Sequence, residues 1–161
     1  MQHTTQARLD LLSNEIALKS LKHIVAAAKP IVDSALSPTT RELVLLRVSQ
    51  INGCGYCVDM HTKDATAAGE TPIRLHLVAA WREASVYTEA ERAALELAEE
   101  GTRIADAAGG VSDEVWANAA KHYDEDQLAA LITLISLINA LNRMNVIVQR
   151  PAGDYQPGQH G

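Results

Sequence analysis

Residues 128–148 form the most apolar stretch of the chain, and the way its apolar side chains are distributed limits what the whole sequence can build. Leu131, Ile132, Leu134, Ile135, Leu137 and Ile138 cover more than one face of a helix, which exceeds what one neighbouring helix hides. Thr133, Ser136, Asn139, Asn142, Arg143 and Asn145 interrupt the same stretch, and so many polar groups would be costly in hydrocarbon. The segment is therefore expected to be a core helix rather than a membrane span. It should be buried from two sides, by the rest of the chain or by another subunit.

The remainder is patterned as helices with frequent punctuation and no convincing strand. Leu11, Leu12, Ile16, Leu18, Leu21 and Ile24 recur at helical spacing and predict a first helix over 9–28, with Pro30 just beyond. Leu43, Leu45, Leu46, Val48 and Ile51 predict a second over 41–51, stopped by Asn52-Gly53. A third is expected over 54–68, ended by Gly69, and Thr71-Pro72 restarts the chain as cap and first helical position. Thr88 with Glu91 forms a capping box before a helix over 92–107, Ser112 caps a short helix around Val115 and Trp116, and Asp124 with Gln127 opens the long apolar one. With 161 residues, 47% of them hydrophobic, the chain can bury a core without staples. The expectation is one all-helical domain over residues 1–150, followed by a flexible tail over 151–161 that is rich in glycine, proline and polar groups.

Both cysteines of the chain fall in Cys54-Gly55-Tyr56-Cys57-Val58-Asp59-Met60-His61. Two thiols at this spacing can close a small ring or share a metal. Near the amino end of a helix the positive end of the dipole favours thiolate, by roughly 0.3–1 kcal/mol. His61 stands one turn beyond Cys57 on the same face, about 5–6 Å away between Cβ atoms, and is the stronger activating influence. Cys57 is accordingly the candidate nucleophile. Glu42 lies on the preceding helix, which turns back at Asn52-Gly53 and so can bring an acid to the cysteines. Thr39-Thr40-Arg41-Glu42 also matches a capping box, and spacing alone favours that role for Glu42.

The run Arg41-Glu42-Leu43-Val44-Leu45-Leu46-Arg47-Val48-Ser49-Gln50, followed by Cys54-Gly55-Tyr56-Cys57 and His61, resembles the core motif of the AhpD-like alkylhydroperoxidases of the carboxymuconolactone decarboxylase superfamily. The late segment Asn139-Ala140-Leu141-Asn142-Arg143 resembles that family's final core helix. The resemblance implies an all-helical fold assembling as trimers or hexamers, a hydroperoxide substrate, and a thiol reductant such as a lipoyl-bearing or thioredoxin-like protein. It makes Cys57 the peroxidatic thiol, Cys54 its resolving partner, and His61 and Glu42 members of a proton relay. One departure is Tyr56, where the well-studied motif has a histidine; a phenol with a pKa near ~10 is a poor base at neutral pH.

Other chemistries fit less well. Zinc could take Cys54, Cys57 and His61 with a fourth ligand from His76 or His122, but no second paired ligand cluster accompanies them. A c-type haem would need histidine where Val58 stands. Lactone decarboxylases of the superfamily generally lack the cysteine pair. A non-enzymatic redox-sensing or interaction role remains the alternative. The net charge of −6 offers no basic patch to nucleic acid. The first ten residues carry no apolar run of the kind that marks a secretory signal, so a reducing, cytoplasmic setting is expected, in which a CxxC pair is more often catalytic than a permanent crosslink. Trp81 and Trp116 are expected at core or interface positions, Arg47 at a pocket or interface carboxylate, and the acidic run over 96–100 on a solvated face. His3, His23, His76, His122 and His160 are assigned no chemical role.

Overall fold

Helix starts follow the local chemistry closely in the computed structural model, which describes residues 6–160; His3 lies outside the described residues. Asn14 accepts a hydrogen bond from the Ala17 amide at the head of α1 (Glu15–Ala26). A single turn, α2 (Lys29–Val32), leads to α3 (Pro38–Ile51), which begins with proline at a position where no amide is needed. Then come α4 (Gly55–Ala67) and α5 (Pro72–Leu77), the latter running into a 3₁₀ segment, Val78–Glu83. Capping boxes close the starts of α6 (Glu89–Thr102), through Thr88 and Glu91, and of α8 (Glu125–Ile147), through Asp124 and Gln127. Ser112 caps α7 (Asp113–Ala120). No strand occurs among the described residues.

The first helix is shorter than its periodicity predicts. Asp10 binds the Leu12 amide with its side chain, making a turn that leaves Leu9 and Leu12 exposed, and the cap at Asn14 fixes the start six residues late. The capping box proposed around Glu42 does not form. Ser37 is the N-cap of α3, no side chain caps it, and the Glu42 carboxylate faces a residue of α4 instead.

Helix α3 is the centre of the molecule. Its Val44 and Val48 meet Ala94 and Ala98 of α6 and Leu131 and Ile138 of α8, all essentially excluded from water, and the alanine face of α6 permits close approach. Leu43 and Leu46, on another side of α3, pack with Val78, Trp81 and Leu95. Helix α8 is long and apolar enough, by length and composition, to cross a membrane. Here Leu131, Leu134, Ile135 and Ile138 are covered by the chain's own helices, while Ile132, Val146 and Ile147 remain exposed.

Arg47 and the acidic run over 96–100 are placed differently from expectation. Glu99 is buried, 3% exposed, and accepts hydrogen bonds from Arg47 Nε at 2.7 Å, from Trp81 Nε1 at 3.0 Å and from Arg82. Arg47 therefore meets a carboxylate of its own chain, and one member of the supposedly solvated face is an interior anion. Trp81 is a core residue, whereas Trp116 is exposed.

The expected flexible tail is instead folded back onto α4. Gln149 adopts a left-handed conformation that ends α8 and reverses the chain. Asp59 then accepts the Gly153 amide at 2.8 Å, Lys63 donates to the carbonyls of Gly153 and Tyr155 at 2.8 and 3.0 Å, and the Tyr155 hydroxyl donates to Asp64 at 2.9 Å. These polar bonds, with the burial of the Tyr155 ring, order a segment whose composition suggests looseness. Burial and the Asp64 carboxylate push the Tyr155 phenol up to about 12. Burial alone would raise the Asp59 carboxyl, but Lys63 and the two tail amides outweigh it and hold it below its ordinary value. The contribution of Asp59 to the clasp is therefore present above the unfolded carboxylate pKa and lost as pH falls through the depressed folded value. Asp59→Ala is expected to accelerate amide exchange at Gly153 and Tyr155 by about tenfold or more, as for loss of hydrogen bonds to a charged acceptor. Unchanged exchange in that variant would mean the tail is held without Asp59, by Lys63, Asp64 and the packing of Tyr155.

Candidate active site

The turn between α3 and α4 brings the cysteines to a helix start. Gly53 takes a left-handed conformation, φ +65°, that a side chain would strain, and the Cys54 amide bonds back to the Ser49 carbonyl at 3.0 Å. Cys54 is the N-cap of α4 rather than part of its first turn, and its Sγ accepts the Cys57 amide at 3.3 Å. The two sulfurs are joined in a disulfide, with the Cα atoms 5.3 Å apart.

Side-chain amides fasten this turn to α8. Asn52 donates to Asn139 Oδ1 at 2.9 Å and to Asn142 Oδ1 at 3.0 Å, Asn142 donates to Ser49 Oγ at 3.1 Å, and Asn139 donates to Thr102 Oγ1 at 3.1 Å. The buried asparagines thus satisfy one another, as interior polar groups must. One turn further along α8, Asn145 Nδ2 donates to Cys57 Sγ at 3.4 Å.

His61 and Glu42, nineteen residues apart in sequence, meet across α3 and α4 with Nδ1 3.2 Å from Oε2. The carboxylate occupies Nδ1, so the second ring nitrogen, Nε2, is the one left for other chemistry. That Nε2 is buried and has no hydrogen-bond partner among the described residues. It is a polar atom held dry and unsatisfied, a condition that costs free energy unless a reacting group visits it. His61 and Glu42 also lie at the polar side of a cleft of about 260 Å³, whose apolar lining includes Val25, Ile31, Leu45, Met60, Leu134 and Leu137.

The disulfide itself is enclosed: Cys54 and Cys57 are each 1% exposed, packed with Tyr56, Met60 and Tyr155. Tyr56 and Tyr155 meet edge to face, with ring centroids 6.2 Å apart, and the Arg150 guanidinium lies 3.6 Å from the Tyr56 ring centroid. Burial pushes the Tyr56 phenol up from its ordinary value against the opposing influence of Arg150, and its hydroxyl shares a hydrogen bond with His160 Nε2, 2.6 Å away.

Of the four residues singled out in the sequence, Cys54 is bonded to Cys57, and His61 is paired with Glu42. Asn145, Arg150, Tyr155 and His160 were not singled out, and His160, assigned no role, is the partner of Tyr56. A signal for Asn145 exists in retrospect: Asn139, Asn142 and Asn145 recur every three residues in an otherwise apolar helix and mark a polar stripe facing inward at its first two members.

Known proteins resemble this chain in sequence and fold to varying extents. The sequence profile of the carboxymuconolactone decarboxylase family matches residues 19–100. The uncharacterized Bacillus subtilis protein YdfG is 42% identical over 132 residues, covering 82% of this chain and 88% of that protein. The uncharacterized Escherichia coli protein YnjA is 33% identical over 119 residues, and the match spans 64% of its length and 74% of this chain. A crystal structure of an Agrobacterium tumefaciens protein of unknown function, linked to AhpD-type antioxidant defence, superposes with a TM-score of 0.84 at 29% identity, covering 93% of this chain and 100% of that one. The debrominase Bmp8 shares the fold, with a TM-score of 0.73 at 17% identity over 89% of this chain and 75% of its own.

Proposed function

This chain belongs to the carboxymuconolactone decarboxylase family, as an AhpD-like member, and from that premise we propose that it is a thiol-dependent peroxidase for organic hydroperoxides. The observation that carries the reading is the Glu42–His61 pair, whose imidazole is buried with its Nε2 unpartnered among the described residues, one helical turn from a cysteine that is half of a CxxC disulfide. A dithiol, a base with a free nitrogen and an orienting carboxylate are the parts that thiol–peroxide chemistry requires. The apolar cleft against the same pair suits the alkyl part of an organic hydroperoxide better than a small polar oxidant.

In this reading Cys57 loses its proton to His61, whose charge Glu42 stabilises. The thiolate attacks the terminal peroxide oxygen; an S–O bond forms, the O–O bond breaks, and the departing alkoxide takes a proton to become an alcohol. Cys54 then attacks the Cys57 sulfenic acid, expelling water and closing the disulfide found in the structure. A dithiol of the lipoyl or thioredoxin class returns two electrons and two protons by thiol–disulfide exchange. Assembly into homotrimers or hexamers, covering exposed Ile132, Val146 and Ile147, belongs to the same proposal.

The test is steady-state consumption of cumene hydroperoxide with dihydrolipoamide as donor. His61→Ala is expected to slow it by about a hundredfold, the usual scale for a lost general base. Glu42→Gln should slow it less, and the double variant little more than His61→Ala, because the two act as a unit. Wild-type protein, fully reduced and no faster than buffer with donor, would reject the peroxidase reading.

A further inference from the structure

We propose that Asn145 is the hydrogen-bond donor that stabilises the Cys57 thiolate and so sets which of the two sulfurs carries negative charge when the disulfide opens. Its side-chain nitrogen lies 3.4 Å from Cys57 Sγ, an N–H···S contact normal for the large sulfur atom. The inference rests on the dithiol chemistry proposed above and adds a residue to it.

The direction of the effect follows from the acceptor. A disulfide sulfur is neutral and accepts weakly, whereas a thiolate carries a full charge and forms a charge-assisted bond. The contact therefore strengthens on reduction and ionisation, and that difference lowers the thiol pKa. The amide is also held in place. Asn142 and Asn139, one and two turns earlier on α8, are bonded into the α3 turn that delivers Cys54, and the Asn145 carbonyl accepts the Arg150 amide at 3.0 Å where the chain reverses. Donor and sulfur are thus registered by the same asparagine ladder.

Cys54 has a different environment, since its Sγ accepts a backbone amide, that of Cys57, as an N-cap. The charged and titratable groups around the pair are Tyr56, Asp59 and His61 on α4, Glu42 on α3, and Arg150, Tyr155 and His160 on the returning segment. From α8 it is an uncharged amide that reaches the sulfur, so its influence persists at every pH at which the chain is folded. When an external thiolate attacks Cys54 Sγ, the S–S bond breaks and the electron pair leaves on Cys57 Sγ, where Asn145 receives it; a better-stabilised leaving thiolate speeds that step.

The experiment is the pH dependence of iodoacetamide labelling in the reduced full-length protein, read separately for each cysteine by peptide mass spectrometry. Two variants remove the donor: Asn145→Ala, and Asn145→Leu, which fills the same space. In both, the Cys57 profile is expected to move up by about one pKa unit, as for loss of a single hydrogen bond to a charged group, while the Cys54 profile stays in place. A Cys57 profile matching wild type in both variants overturns the proposal. So does an equal shift of both cysteines, which marks general loosening of the start of α4. Labelling does not depend on peroxide turnover, so these outcomes are separate from a failure of the peroxidase reading.

Discussion

Cys57→Ser is expected to reduce hydroperoxide turnover by about three orders of magnitude or more, the scale seen when a covalent nucleophile is removed. Serine is nearly isosteric and the residue is almost completely buried, so thermal stability should change far less than activity. Cys54→Ser gives a distinct signature. Its Cys57 can still attack peroxide once, but no thiol follows to expel water, so sulfenic acid accumulates and a dimedone adduct on Cys57 becomes detectable by mass spectrometry. Near wild-type turnover by Cys57→Ser would falsify the assignment of the nucleophile. An adduct on Cys54 in the Cys57→Ser protein, with turnover lost in Cys54→Ser, would exchange the roles of the two sulfurs.

Glu99→Ala is expected to be among the most destabilising single substitutions, at about 3 kcal/mol, because it leaves the largely buried Arg47 guanidinium and the Trp81 indole N–H without their acceptor. For a chain of this size that corresponds to a fall in Tm of roughly 10 °C. The double replacement Arg47→Met with Glu99→Leu should recover most of the loss, since an apolar pair removes the stranded charge together with its partner. If the double variant is as unstable as Glu99→Ala, the cost lies in Trp81 or in packing. Acid should act in the same direction. Burial would raise the Glu99 carboxyl, but Arg82, Arg47 and Trp81 together hold it below the ordinary range. Its contribution is complete above the unfolded carboxylate pKa of ~4.3 and disappears as pH falls through the lower folded value. Wild type should therefore lose stability more steeply on acidification than the double variant, as measured by thermal melts across that range.

What the sequence disclosed and what it hid divide by range of interaction. The boxes at Thr88–Glu91 and Asp124–Gln127 and the cap at Ser112 were legible because each is complete within four residues. The cysteine spacing and the position of His61 one turn beyond Cys57 were legible for the same reason, although spacing left a ring and a shared metal both open. Glu42 presented a local alternative as good as those, yet its carboxylate went to His61, since a fold-back partner is invisible to spacing. The tail failed more completely. Its composition suggested solvation, and the acceptors that order it, Asp59 and Asp64, are more than ninety residues away and resemble ordinary surface acids. Asn145 was hidden in plain sight, counted among polar interruptions of an apolar helix with nothing to show that one of them meets a sulfur.

The enclosure of the disulfide by Tyr56 and Tyr155 divides the chain's chromophores. The chain has no phenylalanine, two tryptophans and four tyrosines. Trp81 belongs to the packing around α3 and the 3₁₀ segment, and Trp116 lies at the surface of α7, whereas Tyr87 and Tyr123 are anchored to the carbonyls of Arg74 and Ala90. Only two aromatic rings of the six therefore share a cluster with the sulfurs. Near-ultraviolet circular dichroism in the tyrosine band is expected to respond to opening of the ring-enclosed bond, while the fluorescence of the buried Trp81 should follow the integrity of the helical core. Oxidation and unfolding of this protein are thus expected to carry separate optical signatures without an added label.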